Sequence, residues 1–285
     1  MKRSLRLRSK LRAPALTAAL AAMVLTASVA ISPAAAEEAP PDHVLSEGCT
    51  EVVNFTTVPV SRVDPYVPDD YVFTTFPATN VGPSGGGVLP VTDLILRTFH
   101  CDTQTVGDST RNNTTSVVFG PQVVHDGKGR FAPNMGFYTM FWITDNPDVV
   151  HWFRRGSAMP QVHYVPELRF TMEEIVKDVS SVEIAAPKPW PFKVSAVFED
   201  LPDGATLGIS SDIHWWGPVP GHRTLYFKNA LDNFHFRQAE GTLTVEPGTP
   251  MADMYGPHTP HGYFLGAEFA RQVTTKAFTE PAKVP

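Results

Sequence analysis

FYTMFWITDNPDVVHWFRRGSAMPQVHY, residues 137–164, contains a change of hydrophobic period. Its first eight residues, FYTMFWIT, are aromatic and β-branched and read as a strand. From Asp145 the spacing turns helical. Asp145 or Asn146 suits an N-cap, Pro147 the first turn and Asp148 the positive helix end. Val149, Val150 and Phe153 then share a face, Arg154 and Arg155 fill the last turn, and Gly156 stops a helix of about ten residues. A return to extended chain follows the Gly/Pro break, through Val162 and His163.

On either side of this unit the chain reads mostly as strands. VVNFTTVPV, DYVFTTFPA, VTDLILRTFHCDTQTV and TTSVVFGPQVV precede it, and in the third Leu94 and Leu96 alternate against Ile95, Arg97, Phe99 and Cys101. FKVSAVFED, ATLGISSDIHWW, RTLYFKNALDNFHFRQAE, GTLTVEP and GYFLGAEFARQVTTKAF follow it, separated by LPDG and GPVPGH turns. Two further short helices are expected. One lies at TMEEIVKDV, where Thr171 and Glu174 have capping-box spacing, and one at TPMADMYG, between Thr249 as cap and Gly256 as stop. The expected class is mainly β (α+β), a single antiparallel barrel-like domain with a few short helices.

The first residues bear on location. MKRSLRLRSKLR carries six basic and no acidic side chains, and an apolar run to Ile31 leads to the small-residue site Ala34-Ala35-Ala36. That order is a secretory signal peptide over 1–36, and the apolar run falls short of the roughly 20 residues of a spanning helix. An exported, extracytoplasmic protein without a stable membrane anchor is expected. An acidic, Pro-rich disordered leader over 37–47 and one domain over 48–285 would follow.

Without those six basic residues the remaining 17 face 29 acidic ones, a net charge of −12, which argues against nucleic acid as a partner. Cys49 and Cys101 are the two cysteines, and export makes a disulfide between them the default. Such a loop is worth about 4 kcal/mol by chain entropy.

No motif fixes a reaction. There is no G-x-S-x-G elbow, and GGG at 85–87 does not lead into a phosphate-binding helix. A metal site would rest on His214, His222, His258 and His261. The proline in HTPH, however, keeps its two imidazoles off a common helical face, so neither metal nor cofactor is expected. The aromatic clusters in NMGFYTMFW, HWW and NFHF read in two ways. They are core, with the intervening histidines exposed, or they wall a cavity for a small molecule. Trp142, His151, Arg154, His214, Trp215 and His235 would then line or rim that cavity.

In order of elements the chain resembles the acetoacetate decarboxylase-like β-barrel superfamily. The resemblance is carried by VPVSRVDPYVPDDYVF, by FYTMFWITDNPDVVHWFRRGSAMPQVHY and by GTPMADMYG. It implies a barrel with an interior site. In the decarboxylases a G-x-P-K-K segment supplies a Schiff-base lysine and a second lysine that depresses its pKa, a logic that favours the neutral, nucleophilic amine. Here the segment is GSAMPQV, so Gln161 and Val162 stand at the lysine positions. Lys177, Lys188 and Lys193 lie downstream, and Lys193 is the one whose apolar neighbours could bury it. The expectation is a barrel that binds a small apolar or weakly acidic molecule without decarboxylating it. The alternative is a lyase or hydrolase acting on a hydrophobic carboxylic acid.

Overall fold

Runs of β-branched and aromatic residues let one strand bury both faces, as FYTMFWIT does at 137–138 and 141–144. The structure, a computed structural model, describes residues 43–74, 76–79, 88–125, 136–156, 161–176, 179–199, 209–219, 223–256 and 263–280. The expected signal peptide and residues 37–42 of the expected leader lie outside the described residues.

β1 (His43–Pro59) runs into a helical turn, α1 (Val60–Val63). β2 (Tyr71–Phe73), β3 (Phe76–Thr79), β4 (Val88–Val106), β5 (Ser109–Pro121), β6 (Val123–His125), β7 (Gly136–Tyr138) and β8 (Phe141–Thr144) follow. After α2 (Pro147–Gly156) come β9 (Val162–Tyr164), β10 (Arg169–Val176), β11 (Val179–Ala186), β12 (Phe192–Glu199), β13 (Ile209–Val219) and β14 (Arg223–Val245). α3 (Pro250–Tyr255) and β15 (Tyr263–Glu280) complete the order.

Ten strands form one path, β10-β11-β12-β14-β15-β1-β4-β5-β8-β9, with β3, β13 and β7 branching from it. β1 is central: it pairs antiparallel with β15 on one side and β4 on the other. Strand pairing begins at His43, before the expected domain start at 48, because His43–Glu47 are held by Lys276–Gln272 and Val44 is buried.

The structure corrects two expectations. The sheet is mixed rather than wholly antiparallel: β9 runs parallel to β8 because α2 carries the chain back as a crossover, and β13 runs parallel to β7. Within TMEEIVKDV, TMEEIV belongs to strand β10 and is not a helix. Its seven register pairs with β11 outweigh a local capping box, with Phe170 and Met172 turned to the core and Thr171 and Glu173 exposed. No closed barrel is found among the described residues. β7 meets the chain after β5 only through an isolated bridge, Gln122↔Phe137. That approach needs a glycine, because a Cβ on Gly120 would lie 1.6 Å from the carbonyl oxygen of Tyr138.

The central strands bury two faces. Val52, Leu94, Leu96, Val117, Phe119 and Phe141 form one, which meets β11, β12, α1 and α3. Cys49, Val53, Ile95, Phe99, Val118 and Trp142 form the other, which meets α2, Phe137 and Trp215. The sheet curls over the first face, so that Phe170 of β10 stacks on His100 of β4 with ring centroids 4.7 Å apart.

The cysteines sit opposite one another on β1 and β4 and are joined as expected, with an S–S distance of 2.10 Å. Among the described residues no helix is long and apolar enough to cross a membrane.

Candidate functional site

The unit that opened the sequence builds the site. Asn146 is the cap of α2: its Oδ1 accepts from the amide of Asp148 at 3.0 Å, while its Nδ2 donates to Gln104 Oε1 at 2.8 Å. Past the helix, the amide of Trp142 donates to the carbonyl of Gln161 at 2.9 Å and that of Val165 to Thr144 at 2.8 Å, which fixes β9 beside β8. Val162 pairs with Trp142 and is fully buried in the α2-side core. Its neighbours Gln161 and His163 therefore turn to the opposite face.

On that face stands an aromatic row. Trp190 stacks on Phe141 at 4.6 Å and lies 6.1 Å from the ring of His163. Phe141 stacks on Phe119 at 5.2 Å, and Phe119 lies 5.7 Å from Tyr255, the last residue of α3. Gln161 is the turn residue that leads into β9. Gln161 Oε1, Trp190 Nε1 and the Tyr255 hydroxyl are buried without a hydrogen-bond partner among the described residues. Leaving such atoms unpaired costs about 1–3 kcal/mol each.

Burial, and to a smaller degree Arg154, holds His163 below the usual imidazole range, so it is uncharged near neutral pH. Burial pushes the Tyr255 phenol well above its ordinary range, so it stays a donor. The group offers stacking, hydrogen bonding and a neutral imidazole.

Trp142 and Trp215 do come together, in the α2-side core. Trp142 packs on Phe153 at 4.8 Å and Phe99 at 5.8 Å, and Trp215 on Phe137 at 5.1 Å. His151 is on the exposed side of α2. Arg154 is exposed as well, its Nη2 3.5 Å from the carbonyl of Val162. His214 and His235 are placed by their backbones only, opposite Lys228 and Glu268, and their side chains lie outside the described residues. Of the six, Trp142 and Trp215 share the α2-side core, and His151 and Arg154 lie on the outer side of α2. His222, His258 and His261 lie outside the described residues, as does Lys177. Among the described residues no three His, Cys, Asp or Glu side chains cluster as metal ligands. Lys193 is not buried: it is 52% exposed, with Nζ 2.9 Å from Glu183 Oε1, because its alternation on β12 puts Val194 inward instead.

Sequence reasoning also missed a buried ion pair. Arg97 on β4 donates from Nε and Nη2 to the two carboxylate oxygens of Glu51 on β1, and its guanidinium lies 5.3 Å from the Phe99 ring centroid. The signal was present, since Arg97 interrupts the apolar series Ile95, Phe99, Cys101.

No family model matches the chain, and no curated protein matches it. Solved structures do. Acetoacetate decarboxylase from Legionella pneumophila subsp. pneumophila str. Philadelphia 1 superposes with a TM-score of 0.55 at 9% identity, covering 92% of this chain and 97% of that one. The chain has an acetoacetate decarboxylase-like fold. An acetoacetate decarboxylase-like enzyme from Sphingomonas wittichii RW1 gives 0.53 at 10% identity, over 88% and 97% of the two chains. A further acetoacetate decarboxylase gives 0.51 at 8% identity, over 85% and 91%. The shared property is the decarboxylase-like fold, and within it Gln161 and Val162 are the residues that the sequence resemblance sets at the paired lysines.

Proposed function

We propose that this chain is an exported protein that uses an acetoacetate decarboxylase-like fold, curled into a barrel-like pocket, to bind a small, mostly apolar molecule without Schiff-base decarboxylation. One observation carries the reading. Val162 is fully buried, and its neighbour Gln161 carries a buried amide oxygen without a partner among the described residues, so the segment that resembles the lysine pair presents an acceptor in place of an amine. The aromatic row from Trp190 to Tyr255 supplies the apolar wall. Export is supported by the basic and apolar order of the first residues and by the Cys49–Cys101 disulfide.

A second reading, a lyase or hydrolase acting on a hydrophobic acid, has His163 in its favour, since a neutral imidazole beside Trp190 is competent as a base. The readings separate on incubation with acetoacetate and borohydride. The expected result is no lysine adduct and no carbon dioxide, together with a small molecule retained in native mass spectra of protein from the exported fraction. A borohydride-fixed lysine adduct would overturn the proposal. Turnover of an acid, abolished by His163→Gln, would favour the second reading.

A further inference from the structure

We infer that the free edge of β10 pairs with the same edge of a second copy of this chain, antiparallel, about a two-fold axis through Thr171. β10 ends the strand path, and among the described residues only β11 pairs with it. Arg169, Thr171 and every residue from Glu173 to Val176 are exposed. Ile175 and Val176, at 56% and 59%, are the most exposed of the large hydrophobic side chains among the described residues. An unpaired edge of this kind is a template for another strand. Main-chain direction narrows the pairing. The carbonyl of Glu173 accepts from Ser181 Oγ and that of Glu183 from Thr171 Oγ1, each at 3.4 Å, so the odd positions of β10 turn their amides and carbonyls to β11. In an antiparallel ladder the next residue's groups point the other way, which directs those of Phe170, Met172 and Glu174 outward.

A two-fold axis normal to the sheet keeps each side chain on its own face, so it passes through a residue that lies opposite its own copy. Charge selects that residue. An axis at Arg169, Glu173 or Glu174 sets like charge against like, and one at Phe170 sets Glu173 against Glu167. An axis at Met172 places Arg169 opposite Ile175, inside the register shift between Glu174 and Val176. At Thr171, Arg169 of each copy meets Glu173 of the other on the outer face, and Phe170 meets Met172 on the inner face, where both already pack on the core. Opposite charges and apolar pairs set directly across a ladder are stabilising, whereas like charges are destabilising. The Phe170–Met172 pairs also use the outward amides and carbonyls, and they lie before the bulge. Neither Arg169 nor Glu173 has an ion-pair partner in its own chain among the described residues.

Cysteine cross-linking of the full chain separates the registers. The native cysteines are already joined, so one introduced thiol per chain reports cleanly. Thr171→Cys sets two thiols opposite one another at the axis, with Cβ atoms about 5 Å apart, and mild oxidation should link most of the protein into dimers. Glu173→Cys leaves its thiols about 14 Å apart along the strands and should link none. Analytical ultracentrifugation of the unaltered chain is expected to show a dimer that dissociates on dilution. Glu173→Arg should weaken it about tenfold or more, because two ion pairs become two repulsions. Arg169→Glu combined with Glu173→Arg should bring the dimer back. Circular dichroism identifies a charge variant that fails to fold, and the cysteine variants then decide alone. A chain that sediments as a monomer at every concentration overturns the inference. So does a dimer that cross-links through Glu173→Cys and not through Thr171→Cys.

Discussion

Arg97 has no exposed surface, and a guanidinium in that position survives only because Glu51 meets it at two nitrogens. Removing one partner strands the other, so Glu51→Gln is expected to cost about 3–5 kcal/mol in urea denaturation. The paired change Arg97→Met with Glu51→Leu should restore most of that loss. A double variant as unstable as the single would show that the pair itself is required.

Asp145, between β8 and α2, is opposite in kind: burial pushes its carboxyl up to about 6 against the hydrogen bond that it accepts from the Thr115 amide. A free aspartate titrates near 3.9, so the folded state holds this proton more tightly than the unfolded one. The stabilisation is complete below about pH 4 and is lost as pH rises through about 6. Asp145→Asn should flatten that part of the melting-temperature profile, because the amide oxygen still accepts from Thr115. An unchanged slope would exclude Asp145 as its source.

At the scale of elements, helix ends were legible and one strand was not. Thr249 caps α3 by accepting from the amide of Ala252 at 3.2 Å, and Gly256 ends it with φ +91°. Asn146 caps α2 but does more than a cap, since its Nδ2 also satisfies Gln104, whose own amide reaches Ser46 at 3.0 Å. Asn146→Ala should therefore exceed the ~1 kcal/mol typical of a lost cap, whereas Thr249→Ala should match it; thermal denaturation distinguishes the two. Caps are read locally, over three or four residues. β10 is decided by its partner β11 and by Phe170 reaching His100, about seventy positions earlier in the chain, which no local pattern reveals. The site divides in the same way. Gln161 and Arg97 were visible as wrong residues in a pattern, whereas Trp190 and Tyr255 join the site from distant elements through packing alone.

Over the whole molecule, the disulfide joins residues 52 apart on strands that already face each other across a ladder. Chain entropy assigns such a closure about 4 kcal/mol. Replacing both cysteines by serine is expected to lower stability in urea denaturation by no more than this, because both positions stay paired across the ladder. A larger loss would show that the bond holds more than the closure of its loop.

The central position of β1 carries a cost in time. Its two neighbours are β4, made soon after it, and β15, at the other end of the described chain. Until β15 arrives, a strand 17 residues long offers an open edge to any other chain. Dilute refolding should therefore give monomer, and concentrated refolding aggregate. A synthetic peptide with the sequence of β15, added at the start, should shield the edge and raise the yield.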